Sequence, residues 1–356
     1  MRQTPGTPGS RPRVGRGLRL AAVLAALFAL SACGGTYDPP SLVNKLRVLA
    51  VRAEPPVMTL TGPTTLTPLV VGADDQLCFA WALCPFAWSK DGAFQCFDPR
   101  LQKDVGTEPT AVVTPAQLLA SLGEAPAVFE DLGIQLPDSL KDQQSAQDSG
   151  SSLELYVLFK VATRASQGGT CPSDIATWLA APCADRDVCL AGYKRLAFAP
   201  KAEDVHSNPT LTGLELGGVA WPEALTPTVG PYAGDPDDTF FGLAKGALKL
   251  VPTWTDDSRE SYGESLDPSK PGPLTESLLF SWFSTAGDYD KQRSYDEVPE
   301  NSLLPPQATD LEMKIWVVVR DGRNGVDWTS RTLRVRNDAA AGNGLCNLDS
   351  TLPGCP

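Results

Sequence analysis

The sequence predicts an all-β protein built from two tandem β-sandwich modules, the first carrying long disulfide-bearing insertions. Three observations predict it. Segments with apolar residues at every second position recur along the chain. Proline (32) and glycine (31) are abundant while helical periodicity is scarce, which favours a loop-rich β protein over a helix bundle. Nine cysteines occur, and all but one of them form an even set suited to disulfides in an oxidising compartment.

The alternation is clearest in three places. In Gln76–Cys84 (QLCFAWALC), Leu77, Phe79, Trp81 and Leu83 share one face; in Leu153–Val161 (LELYVLFKV), Leu153, Leu155, Val157, Phe159 and Val161 do; in Leu311–Val319 (LEMKIWVVV), Leu311, Met313, Ile315, Val317 and Val319 do. Each reads as a half-buried strand of a sheet packed on one side. The order of segments repeats. Lys45–Ala53, Thr65–Gly72, Leu77–Leu83, Leu153–Ala162 and Tyr193–Ala199 form one set. Leu211–Leu216, Ala247–Trp254, Leu278–Phe283, Leu311–Arg320 and Val326–Val335 form the other. Phe79-Ala80-Trp81 in the first matches Phe280-Ser281-Trp282 in the second.

An aromatic-x-Trp strand in the middle, followed by a long strand and a returning strand, resembles bacterial immunoglobulin-like and PKD-like modules. The part most similar is Val317–Val335 (VVVRDGRNGVDWTSRTLRV), which reads as a closing hairpin with Asp321-Gly322 and Asn324-Gly325 as turn residues. The resemblance implies that Trp81 and Trp282 sit between two facing sheets. The layout also resembles uncharacterised surface lipoproteins numerous in myxobacteria, a likeness that brings no known activity with it. The expected modules are 45–204 and 205–337, followed by a tail, 338–356. The first module departs from the pattern through two insertions. Cys84–Gly150 includes a helix signalled by Thr114-Pro115 and closed by Gly123, then a polar stretch Asp138–Ser152. Ala165–Gly192 holds three cysteines and Trp178. The junction between modules falls at Pro200–Pro209, around the single histidine.

The N-terminus carries a separate signal. Residues 1–32 hold five arginines and no acid, and an apolar run, Leu20–Leu30, follows the last arginine. This is a signal-peptide pattern, and the run is too short for a spanning helix of about 20 residues. Leu30-Ser31-Ala32-Cys33, then Gly34-Gly35, resembles the bacterial lipobox. That resemblance implies cleavage after Ala32, a diacylglyceryl group on the Cys33 sulfur and a fatty acyl chain such as palmitate on the new amine. Two or three chains anchor stably where one does not. No twin-arginine pair is present, so the general secretion route is favoured. Gly34, rather than aspartate, follows the cysteine, which by analogy with the enteric sorting rule favours the outer membrane. Residues 33–44 are then the lipidated N-terminus and tether, and the protein is expected in the cell envelope.

Charge narrows the partners. The chain has 30 Lys and Arg against 42 Asp and Glu; without the five arginines of 1–32, 25 face 42, a net charge of −17. Such a surface argues against binding nucleic acid and leaves an envelope protein or glycan as the expected partner. With Cys33 lipidated, Cys78, Cys84, Cys96, Cys171, Cys183, Cys189, Cys346 and Cys355 remain for four disulfides. A zinc–cysteine centre is disfavoured by one histidine and no C-x-x-C pair. Cys346 and Cys355 close a local loop. Parity then requires an odd number of bridges between the 78–96 and 171–189 groups. The expected pairing is Cys84–Cys96, Cys171–Cys183 and Cys78–Cys189.

No catalytic pattern stands out. A single histidine excludes the HExxH motif and any three-histidine metal site. His206 reads as a solvated linker residue beside Asn208-Pro209. No G-x-S-x-G elbow, phosphate loop or dinucleotide fingerprint occurs. The reading is therefore a non-enzymatic module with no cofactor; the alternative is a polysaccharide-acting hydrolase using a carboxylate pair. Calcium is the cofactor the composition allows, with Asp288, Asp290, Asp296 and Glu297 as one candidate group and Asp235, Asp237 and Asp238 as another. For protein or glycan binding the candidates are Trp88, Trp178, Trp316 and Trp328. Trp316 lies opposite Met313 and Ile315, beside Lys314, and is expected to be exposed.

Overall fold

The structure, a computed structural model, describes residues 39–73, 76–90, 93–132, 153–199, 205–231, 247–263, 272–307 and 310–337. The lipobox with Cys33, the polar stretch Asp138–Ser152, the group Asp235, Asp237 and Asp238, and the Cys346–Cys355 loop lie outside them.

The first module contains β1 (Arg47–Glu54), β2 (Val57–Met58), β3 (Thr64–Val71), β4 (Leu77–Cys84), β5 (Ala87–Lys90), β6 (Ala93–Cys96), β7 (Lys103–Gly106), β8 (Ala111–Val113), β9 (Leu153–Thr163) and β10 (Cys189–Phe198). The second contains β11 (Leu211–Leu216), β12 (Val219–Ala220), β13 (Thr228–Val229), β14 (Leu248–Trp254), β15 (Ser261–Tyr262), β16 (Leu274–Thr275), β17 (Leu279–Ser284), β18 (Asp288–Tyr289), β19 (Arg293–Tyr295), β20 (Asn301–Leu304), β21 (Leu311–Arg320) and β22 (Val326–Val335). In the first module a sheet ordered β1-β3-β8 accompanies one ordered β2-β10-β9-β4-β7. In the second, β12-β11-β14-β20-β18 accompanies β13-β22-β21-β17-β19.

The connectivity is the same in both. The opening strand pairs with the next long strand in one sheet; the aromatic-x-Trp strand, the long strand and the closing strand make the other. A two-residue strand then adds parallel to the closing strand, β2 on β10 and β13 on β22. This is an immunoglobulin-like arrangement, found twice. Between the sheets of the first module lie Leu46, Val51, Leu66, Trp81, Leu155, Val157 and Leu196; between those of the second lie Leu214, Trp221, Leu250, Trp282, Ile315, Val317 and Leu333. Each central indole has a hydrogen-bond partner. Trp81 Nε1 donates to the Glu108 carbonyl at 2.9 Å and Trp282 Nε1 to Ser294 Oγ at 3.0 Å, so a buried N–H is not left unpaired.

Packing on one side does not describe these sheets. In β4 every residue after Leu77 is buried. The outward positions Cys78, Ala80, Ala82 and Cys84 are covered by the insertions, through Val128, Trp178 and Leu179. The covering helix, Pro115–Asp131, opens on a capping box in which Thr114 Oγ1 accepts from Gln117 N. It continues through Gly123 to Asp131, because Leu118, Ser121, Ala125 and Val128 present a buried face, and this tertiary contact outweighs the helix-ending tendency of one glycine. Lys160, on the same outward face of β9, is also buried. Its ammonium donates to the carbonyls of Trp178 and Ala181 at the end of the short helix Ile175–Ala180.

Three disulfides lie in this module. Cys84–Cys96 closes the approach to the β5–β6 hairpin, Cys78–Cys171 joins β4 to the second insertion, and Cys183–Cys189 closes a short loop. Cys171–Cys183 and Cys78–Cys189 are therefore corrected. Cys189 heads β10, and the loop before it folds back so that Cys183, six residues away, is its neighbour. Cys78, at the start of β4, is left facing Cys171.

The two modules are joined along a continuous apolar seam. Val43, Leu49, Ala50 and Val71 pack with Trp316, Val318 and Val326, with Leu69, Phe283 and Trp328 at its margin. The segment before β1 takes part: Val43 N donates to Ser284 O at 2.8 Å and Ser284 N to Ser41 O at 2.9 Å. The first module's leading segment is thus paired with the end of the second module's β17, and the stretch expected as tether through Asn44 is already docked from Ser41.

Candidate functional site

His206, Asn208, Glu276 and Asp321, all buried, converge around the connection that includes His206 and the turn Asp321–Gly325. Asn208 stitches this junction together. Its amide donates to the Ala53 carbonyl at 2.7 Å and to Glu54 Oε2 at 2.8 Å, and its Oδ1 accepts from Val326 N at 2.8 Å. Nearby, Arg52 reaches Asp327 Oδ1 at 3.1 Å, Asp327 Oδ2 accepts from Leu211 N at 2.9 Å, and Lys194 donates to the Asn324 carbonyl at 2.6 Å. Desolvation lowers the Lys194 ammonium to a pKa of about 8.

His206 is 5% exposed, not solvated. Three elements remote in sequence supply its neighbours. Asp321 follows β21, and its Oδ1 accepts from the N–H groups of Arg323 (2.7 Å) and Gly325 (2.9 Å). Its Oδ2 is buried without a hydrogen-bond partner and lies 4.0 Å from His206 Nδ1. A side chain at Gly325 would collide with this oxygen, since a Cβ there would fall 1.9 Å from it. Glu276 follows β16 and is 2% exposed. Its Oε1 accepts from Arg323 at 2.9 Å and its Oε2 from Glu260 N at 3.1 Å. Arg323 lies over the Tyr262 ring, 4.5 Å from its centroid. Glu260 in turn accepts from Ser207 N at 2.9 Å.

The electrostatics follow from burial. Desolvation, with the Arg323 charge, holds the His206 imidazole below its usual range despite the pull of Asp321. Desolvation raises the Glu276 carboxyl, and the Asp321 charge adds to this against the Glu260 N–H and Arg323. Among the described residues, His206, Glu276 and Asp321 are the one group of three or more histidine, cysteine or acidic side chains whose ligand atoms all lie within 4.8 Å of one another. Residues 206, 276 and 321 show no motif because 70 residues (276 − 206) and 45 residues (321 − 276) of intervening strands and turns separate them. The sequence signals were the single histidine before Asn208-Pro209 and the aspartate opening a glycine-rich turn.

The predicted binding residues fall elsewhere. Trp316 is 6% exposed; the module seam covers the outward face of β21, and Lys314 Nζ lies 5.6 Å from its ring centroid. Trp328 borders the same seam. Trp178 is buried against the insertion core with Lys160 over its ring. Trp88 is on β5, and its side chain lies outside the described residues. Of the calcium candidates, Asp288, Asp290 and Glu297 are exposed. Asp296 instead pairs with Arg259 at 2.8 Å and accepts from Ser277 Oγ at 3.0 Å.

Two surface concavities lie away from His206. One of about 460 Å³ opens beside the docked N-terminal segment and is lined by Pro40, Ser41, Arg47, Gln292, Arg293 and Arg320, among others. Arg47 donates there to the Pro40 and Leu42 carbonyls and Arg320 to the Leu49 carbonyl and Ser281 Oγ, while Arg293 is exposed. The second, of about 520 Å³, lies on the first module's insertion by Gln102, Lys103, Asp104 and Gln117. Neither is lined by a pair of carboxylates. Among the described residues no helix is long and apolar enough to cross a membrane.

Fold and junction together define a tandem immunoglobulin-like β-sandwich protein. No protein-family model and no curated protein matches the chain. Among solved structures, Clostridium thermocellum CbhA fibronectin(III)-like modules align at 10% identity and a TM-score of 0.20, covering 81% of this chain and 94% of that one. Dimeric latent PorU from Porphyromonas gingivalis aligns at 10% identity and a TM-score of 0.19, covering 84% of this chain and 24% of that one. At such scores the likeness carries no argument; the sandwich assignment rests on the strand order itself.

Proposed function

We propose that this chain is a lipoprotein of the cell envelope, anchored at the outer membrane through lipid on Cys33. In this reading it acts there as a non-catalytic binding, adhesion or structural module. The observation that supports this most is the pairing of Ser41–Val43 with β17. With that segment docked, the tether shortens to Gly34–Pro40, whose full extension is about 25 Å at ~3.6 Å per residue. Pull on the lipid is then passed to both modules through a strand contact and the apolar seam, as suits a scaffold. The arginine-lined concavity beside Ser41 is the proposed recognition surface, fitted to an acidic group of an envelope glycan or protein. Guanidinium forks suit carboxylates and phosphates.

Two measurements test this. Cys33→Ala should release the protein from membranes or leave it unprocessed; a variant that stayed membrane-bound and was cut at the same place would sink the anchoring. Arg293→Glu, an exposed change, should weaken retention on acidic envelope polysaccharide at low salt. Unchanged retention would remove the concavity as the binding surface.

A further inference from the structure

We propose that His206, Glu276 and Asp321 form a binding site for one first-row divalent metal ion, of which zinc is the chemical type, and that the ion ties the inter-module connection at His206 to the second module. The geometry supplies the ligands. The three side chains are buried and their ligand atoms lie within 4.8 Å of one another. An ion with bonds of about 2.0–2.2 Å holds adjacent tetrahedral ligands about 3.4 Å apart. His206 Nδ1 also lies 3.4 Å from the Ser207 carbonyl; on binding that contact is released and the 4.0 Å between His206 Nδ1 and Asp321 Oδ2 closes by roughly half an ångström.

An independent observation points to a ligand. Asp321 Oδ2 is an anionic oxygen with no hydrogen-bond partner, on a side chain with no exposed surface, turned toward the histidine. A buried carboxylate oxygen left unpaired is costly, and a cation there removes the cost. The remaining contacts are those that orient metal ligands. Asp321 is fixed by two N–H groups through its other oxygen, and Glu276 is held by Glu260 N–H and Arg323 while each of its oxygens keeps a free lone pair. The charge balance agrees. Two acidic side chains and one guanidinium surround the imidazole. The mixed nitrogen and oxygen set selects a first-row ion over calcium or magnesium, which take oxygen ligands.

The test is titration calorimetry of the detergent-solubilised full chain, freed of metal by chelator, with zinc chloride, cobalt chloride and calcium chloride as probes. Zinc should bind at one per chain and raise the melting temperature. Cobalt should give the visible absorption of a low-coordinate site. His206→Gln should weaken zinc binding by about ten-fold or more, and Glu276→Gln should do likewise, each with the circular dichroism of the parent. Asp288→Asn with Asp290→Asn, on the exposed loop, should leave it unchanged. Should a junction variant fail to fold, the wild-type melting shift and cobalt spectrum still decide. Absence of stoichiometric zinc or cobalt binding to the folded wild type would overturn the proposal. So would zinc binding that survives in folded His206→Gln, or calcium bound in preference to zinc.

Discussion

Single residues at the junction carry out roles that their types alone do not suggest. Asn208 satisfies three groups at once, a carbonyl of β1, the Glu54 carboxylate and an N–H of β22. Replacing it with alanine leaves a buried carbonyl and a buried N–H unpaired. Asn208→Ala should therefore cost about 1–3 kcal/mol, read as a lower urea midpoint with little change in slope. Lys194 makes a pH-dependent contribution. Its folded pKa is lowered to about 8 by desolvation, against an ordinary value of about 10.4. Between those values the folded state binds fewer protons than the unfolded one. Stability should therefore rise with pH across that window, the penalty for burying the charge being fully present below it. Lys194→Met should lack this rise in denaturation curves taken at pH 7.5 to 10; an identical rise in the variant would assign it to other groups.

At the scale of elements, the aromatic-x-Trp strands organise each sandwich. Trp81 and Trp282 are both fully enclosed between their sheets, and Trp81 packs at 5.6 Å from the Phe159 ring. Trp81→Ala and Trp282→Ala should each cost about 3–5 kcal/mol, as for large aromatics in cores, with altered tryptophan fluorescence. A small loss at both positions would contradict their central place. These strands were legible because period-2 alternation reports the inward face of a strand directly. Their outward faces were less so. Cys78, Ala80, Ala82 and Cys84 are small and apolar, and the composition of one strand does not say that a helix forty residues later will cover it. The helix itself was located from its Thr114-Pro115 start, while its end was not. A cap is a local interaction; the continuation past Gly123 depends on what Leu118, Ala125 and Val128 bury against.

For the whole molecule the seam of Val43, Leu49, Val71, Trp316 and Val318 makes the tandem modules one mechanical body. Calorimetry of the wild type should show a single unfolding transition. Val318→Asp places an unpaired charge in the seam and should separate it into two, one for each module. Two transitions already present in the wild type would mean that the seam does not couple them. The same packing places the Asp321–Gly325 turn at the contact with β10, where Asn324 meets Lys194.

The sequence by itself determined the all-β class, the two repeated sets of strands, the Trp residues at their centres, and the need for a disulfide between the two cysteine groups. Each follows from a local periodicity or a parity count. Tertiary structure alone decided that Cys78 meets Cys171, that Trp316 is covered, and that His206, Glu276 and Asp321 gather at the junction. Such facts depend on which distant surfaces come together. That choice is made by complementary burial across the module seam and the insertions, and no window along the chain contains both partners.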